Sequence, residues 1–168
     1  MQTKLTLKAA LAGLTLIAGG AMAAPAQAAS LTTQTTLLTT DAAVQLATDA
    51  LQSCRNDGYA VSVSVVDRSG NLIAMARDEM AGPHTISSSY QKAFTAASMG
   101  QDTGKLAKLI AEKPFLEGLR DMNDNLLMLP GGLPVSVDGV RVAGVGVGGA
   151  PGGHLDAKCA QDAIAKLK

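Results

Sequence analysis

The chain has 168 residues, 14 Lys+Arg against 14 Asp+Glu, 47% apolar residues, no Trp and only two Tyr and two Phe. A balanced charge argues against nucleic acid as a partner, because phosphate recognition leaves a basic excess. With Tyr59, Tyr90, Phe94 and Phe115 as its only rings, the chain has few platforms for stacking bases or sugars, and its core must come from aliphatic residues.

At the N-terminus, Lys4 and Lys8 precede an apolar run from Ala9 to Ala18 and then two A-x-A sites, the layout of a secretory signal peptide. Pro25 sits between the run and the second site, so cleavage is expected after Ala28 and residues 1–28 are read as the signal. The run is well short of the ~20 residues that a bilayer span needs, and the mature chain holds no other candidate. Removal of residues 1–28 takes away two of the 14 basic residues and no acid, leaving 12 against 14 and a net charge of −2. The mature protein is then periplasmic or secreted. In such an oxidising compartment Cys54 and Cys159 become a candidate disulfide.

Residues 29–38 are Thr-rich and read as a linker or edge segment ahead of a domain over residues 39–168. Thr39 or Thr40 can cap a helix from Asp41 to about Asn56 that stops at Gly58, with Val44, Ala47, Leu51 and Cys54 along one face. Val61, Val63 and Val65 then alternate with Ser62 and Ser64. A Gly-containing turn and the apolar run Leu72 to Ala76 follow, which together signal a β-hairpin. The segment from Asp78 to Thr85 loses periodicity and reads as a loop carrying His84 to the start of a helix over about Ser87–Met99.

A shorter helix is expected from Thr103 to Ala111, capped by Asp102 or Thr103, and Pro114 opens an irregular helical stretch through Met122. Asp138-Gly139, between Val135/Val137 and Val140 to Val147, is the strongest two-residue hairpin signal in the chain. A last helix, His154 to Leu167, carries Leu155, Cys159 and Ala163 on one stripe. Two hairpins with Val-rich faces plus flanking helices predict an α+β fold, an antiparallel sheet in an α-β-α sandwich. Cys54 and Cys159 lie on core-facing stripes of the first and last helices, as a bridge or as two buried thiols.

Gly144 to Gly149 spell G-x-G-x-x-G, but a dinucleotide site needs a further parallel strand and an acid about 20 residues on, which this chain lacks. Alternating glycines read better as a strand that another element approaches closely. The following loop, with Gly152 and Gly153, offers N–H groups at a helix start, where an anion can bind. Motifs of serine hydrolases, zinc proteases, thioredoxins and P-loop NTPases are missing. Only two histidines occur, and His84 in a Gly-Pro loop is the candidate metal or haem-iron ligand, against the alternative of an exposed capping residue. Arg77, Asp78 and Lys92 flank the same region and can pair with carboxylates, or form a solvated rim. Tyr90 and Phe94 are the only aromatics near that pocket.

Val61 to Asp67, Gly70-x-Leu72, Arg77, the run Ser89 to Ala97, Pro130 to Pro134, Gly144 to Gly149, Asp156 and Ala160, in this order, resemble the GlcG/HbpS-like haem-binding family. The resemblance covers about residues 38–168. It implies a compact, profilin-like α-β-α domain, homo-oligomeric assembly, and binding of haem or iron, with haem degradation in some members. It also implies an axial ligand that is a Thr in one branch and a His in another, and His84-Thr85 offers both. The expectation is an exported protein that binds haem, or a related carboxylate-bearing ligand, near His84. Thr85 would be a second ligand, and Arg77, Lys92, Tyr90, Gly152 and Gly153 would complete the pocket. The alternatives are an enzyme degrading haem or acting on a small acid, and a non-catalytic accessory for a periplasmic or sensor protein.

Overall fold

The computed structural model describes residues 32–167, so the expected signal over residues 1–28 lies outside them. No helix among the described residues is long and apolar enough to cross a membrane. Residues 32–39 carry no regular secondary structure. Helix α1, Thr40–Asn56, starts at Thr39, whose Oγ1 accepts the Ala42 N–H at 3.2 Å. It buries Ala43, Leu46, Ala47, Ala50, Leu51 and Cys54. Val44, expected on that stripe, is instead 50% exposed. The small Ala43 and Ala50 form the contact line, and Val44 is carried about 100° round the helix from Ala43.

Strands β1, Ser62–Asp67, and β2, Leu72–Arg77, form the first hairpin; β3, Gly132–Val137, and β4, Val140–Gly148, form the second. In the first turn Asp67 Oδ1 accepts the N–H groups of Ser69 and Asn71 at 2.7 and 2.9 Å. In the second, Asp138 and Gly139 both take positive φ, 50° and 77°. That pairing matches the twist of the flanking strands and selects Asp-Gly. The sheet is antiparallel in the order β2-β1-β4-β3, with Ser62 opposite Gly148 and Asp67 opposite Ala143 where the hairpins join.

One face of the sheet, with Val61, Val63, Val65, Val145 and Val147, packs against α1 and α4, Gly153–Ile164. These two helices run antiparallel, tied by Ser53 to Asp162 at 2.7 Å, by Lys158 to Asp57 at 3.1 Å, and by the fully buried disulfide Cys54–Cys159. Helix α2, His84–Met99, covers the other face, giving the expected α-β-α layering. Beside it, α3, Thr103–Glu112, and a 3₁₀ turn, Pro114–Arg120, close over a satellite core of Leu106, Ile110, Leu126 and Met128.

The serines of β1 do not face water. Ser62 bonds to Thr85 at 2.7 Å and Ser64 to Ser89 at 2.8 Å, all four hydroxyls buried under α2. Opposite them on β4, a Cβ at Gly144 would overlap the Ala93 carbonyl and one at Gly146 the Ser89 carbonyl. The alternating glycines therefore let the helix backbone rest directly on the strand. The two edges of the sheet differ. On β3 the Gly132 N–H is taken by Thr103 Oγ1 at 2.9 Å, and Pro134 has no N–H to offer. The other edge, β2, contains no proline and ends in the charged Arg77.

Candidate functional site

His84 lies three residues earlier in the helix than expected: α2 starts at His84 itself. Pro83, at φ −62°, is already helical, and Thr85 Oγ1 donates to the Gly82 carbonyl at 2.6 Å, so the Gly-Pro segment is drawn into the first turn. His84 is exposed, and its ring lies over Gly82, where a Cβ would meet it at 2.7 Å. The preceding loop holds Met80, 79% exposed, and Arg77, whose guanidinium donates to the Ala81 carbonyl. Beside that loop is a cleft of about 350 Å³ lined by Arg55, Gly58, Tyr59, Ala60, Asp78 and Met80.

Arg55 bridges two acids there, Asp78 at 2.6 Å and Glu79 at 2.9 Å. Its hydrogen bond, together with the Met80 N–H, holds the Asp78 carboxyl below its ordinary 3.8. The stabilisation from a depressed carboxylate is complete above the unfolded value and is lost as pH falls through the lower folded value. The midpoint of thermal unfolding is therefore expected to drop below about pH 4. Asp78→Asn should flatten that acid limb in a series of melting curves taken from neutral pH downward; an unchanged limb would assign the acid sensitivity elsewhere.

The other expected site residues are not gathered around His84. Thr85 is 1% exposed and fully occupied by Ser62 and Gly82, so its hydroxyl does not reach a surface ligand. Lys92, expected to meet a ligand carboxylate, is 5% exposed and already paired: its Nζ lies 2.8 Å from Asp156 and donates to the Val147 carbonyl at 2.9 Å. Six residues separate Tyr90 from His84, which turns the two side chains about 120° apart around the helix. Tyr90 instead donates to the Gly70 carbonyl at 3.2 Å. The loop before Gly152 and Gly153 is also partly satisfied from within, because Asp156 Oδ1 accepts the Ala150 N–H at 3.0 Å. Burial pushes the Asp156 carboxyl up, against the opposing pull of Lys92 and that N–H. Among the described residues no group of three or more His, Cys, Asp or Glu side chains is placed to hold a metal.

Sequence reasoning missed the buried hydroxyl ladder and the partner of Lys92. The ladder had a visible signal: Ser62 and Ser64 two apart on a strand match Thr85 and Ser89 four apart on a helix, the repeat distances of the two elements. The Lys92–Asp156 pair had none, since 64 residues separate its members.

The model of the family described as haem degrading protein HbpS-like matches residues 38–165. The chain belongs to the HbpS-like family. This HbpS-like domain is 44% identical to a crystallised double mutant of HbpS from Streptomyces reticuli, covering 87% of this chain and 98% of that one, with a TM-score of 0.77. A crystal structure of protein ORFY from Klebsiella pneumoniae is 29% identical over 83% of this chain and 99% of its own, with a TM-score of 0.76. A crystal structure of a PduOC:haem complex is 27% identical, covers 77% of this chain and 94% of that one, and has a TM-score of 0.71. An uncharacterized 15.0 kDa protein of the dhaT–dhaS intergenic region of Citrobacter freundii is 34% identical over 90 residues, 53% of this chain and 63% of that relative.

Proposed function

We propose that the protein is an exported haem-binding protein whose contact to the iron is His84. The observation that carries this is an exposed imidazole at the first position of α2, at the end of a loop that bears the exposed, apolar Met80 and follows the cation Arg77. Those residues fit haem: an imidazole for the axial position, an apolar side chain for the porphyrin, and a guanidinium for a propionate. Membership of the HbpS-like family and the haem complex of the PduOC relative support the ligand class. The buried Cys54–Cys159 bridge supports an oxidising compartment.

His84 is a surface ligand, which favours an exchangeable haem over a sequestered one. Thr85, Tyr90 and Lys92 anchor α2 along its length, to Ser62, to the Gly70 carbonyl, and to Val147 with Asp156, and Gly152 and Gly153 belong to the start of α4. A homo-oligomer, as the family resemblance implies, would add a second wall to this open site. Bound haem would supply iron chemistry; the chain's own part is to ligate it, orient it and compensate its carboxylates.

The test is a hemin titration of the mature chain recovered from outside the cytoplasm, with an N-terminus at Ala29. Wild type should give a sharpened, saturable Soret band that His84→Ala shifts and weakens by about tenfold or more. An identical band in the variant removes His84 from the iron, and no band in wild type removes haem. Added reductant distinguishes storage from turnover: loss of the band with release of iron would make the protein an enzyme degrading haem.

A further inference from the structure

Residues 78–83 join β2 to α2 and so decide where His84 stands. They form neither helix nor strand, and their hydrogen bonds converge on Asp78. The Asp78 N–H donates to the Val61 carbonyl at 2.9 Å, its carbonyl accepts the Ala81 N–H at 3.0 Å, and its Oδ1 accepts the Met80 N–H at 2.9 Å. The Gly82 carbonyl takes both the N–H and the hydroxyl of Thr85, at 3.0 and 2.6 Å, which closes the segment onto the first turn of α2.

The second carboxylate oxygen of Asp78 points out of the segment, where Oδ2 accepts the Nε–H of Arg55 from α1 at 2.6 Å. The side chain of Asp78 is 10% exposed and that of Arg55 39%, so water screens this bond little. Glu79, at 80%, gives Arg55 a second and weaker partner at 2.9 Å. The end of α1 that carries Arg55 is itself fixed. Cys54, beside it, is bridged to Cys159 of α4, and the Cys54 carbonyl accepts the N–H groups of Asp57 and Tyr59 at 3.1 and 2.9 Å. Arg55 thus connects a fixed point to a segment with no regular structure of its own.

We propose that Arg55 is a positioning residue for the His84 site. It acts through Asp78: Arg55 holds the carboxylate, the carboxylate and carbonyl of Asp78 hold Met80 and Ala81, and the segment delivers His84 in one place. The inference rests on the reading of His84 as the haem ligand. Without the tie the segment samples other positions, and the apparent affinity falls by the fraction of time that the site is assembled. A charge-assisted hydrogen bond of ordinary strength makes that about tenfold.

Hemin titration and amide hydrogen exchange of the mature chain, taken together, test the proposal. Arg55→Gln is expected to weaken hemin about tenfold and to speed exchange at Met80 and Ala81, while Val63 and Val65 on the inner strand β1 exchange as in wild type. Arg55→Lys keeps the charge without the planar fork and should fall between the two. Lys158→Gln removes an exposed ion pair to Asp57 at the end of α1, and should leave both readouts unchanged. Should Arg55→Gln fail to fold, Asp78→Asn weakens the same bond from the other side and is expected to move both readouts in the same direction. Unchanged hemin affinity in Arg55→Gln, exchange at Met80 and Ala81 no faster than in wild type, or an acceleration that extends to Val63 and Val65 overturns the positioning role. If wild type gives no Soret band, the haem reading fails, and exchange at Met80 and Ala81 alone decides whether Arg55 holds the segment.

Discussion

Replacing Cys54 and Cys159 together by alanine is expected to lower the unfolding free energy by about 4–5 kcal/mol. The bridge joins residues 105 apart in sequence, so it removes loop freedom from most of the unfolded domain. In melting temperature this amounts to a drop on the order of 15 °C for a domain of this size. Both sulfurs are inaccessible in the folded protein, so reductant alone should leave the native state intact. Wild type unfolded in the presence of reductant should reproduce the variant, whereas wild type unfolded without it should not. Coincident denaturation curves for all three samples would show that the bridge is dispensable.

Lys92→Met is expected to cost about 3–5 kcal/mol, because it strands the Asp156 carboxylate without a counter-ion at 3% exposure. The size of the loss should depend on pH. Burial already raises the Asp156 carboxyl, and without Lys92 it rises further, so at low pH the group is protonated and the stranded charge disappears. The variant should therefore approach wild-type stability as pH falls through the raised value, and diverge from it towards neutrality. The double variant Lys92→Met with Asp156→Leu should recover most of the loss at pH 7, since an apolar pair of similar volume replaces the ions. Denaturant titrations of the three proteins at pH 5 and pH 8 check both statements. A pH-independent deficit would mean that Lys92 contributes by packing and not by charge.

Much of the architecture is legible in the amino-acid order because it depends on local rules. Asp138-Gly139 specifies its turn by backbone conformation alone, Thr39 and Asp102 cap helices within three residues, and the Val alternation of β1 specifies which side faces α1 and α4. What was not legible depends on residues brought together from far apart. The serines of β1 carry the periodicity of a half-exposed strand, and only the presence of α2 on that side turns them inward. Lys92 has the composition of a surface residue and is buried only because Asp156 comes to it from α4. His84 was recognisable as a candidate by its rarity, and its exposure at the start of α2 is shared by the ligand reading and by its alternative, an exposed residue at a helix end.

The inequality between the sheet's two margins sets a limit on how such domains could join. Thr103 and Pro134 plug β3, while β2 bears no such plug. Of the two margins, β2 is the one with no proline, and the charged Arg77 at its end is what limits it. A pairing through β2 would leave β3, the poorer edge for pairing, on both outer sides of the two chains. The proline on β3 is accordingly a valence limiter. Exchanging it for a residue with an N–H would return one backbone donor to that edge.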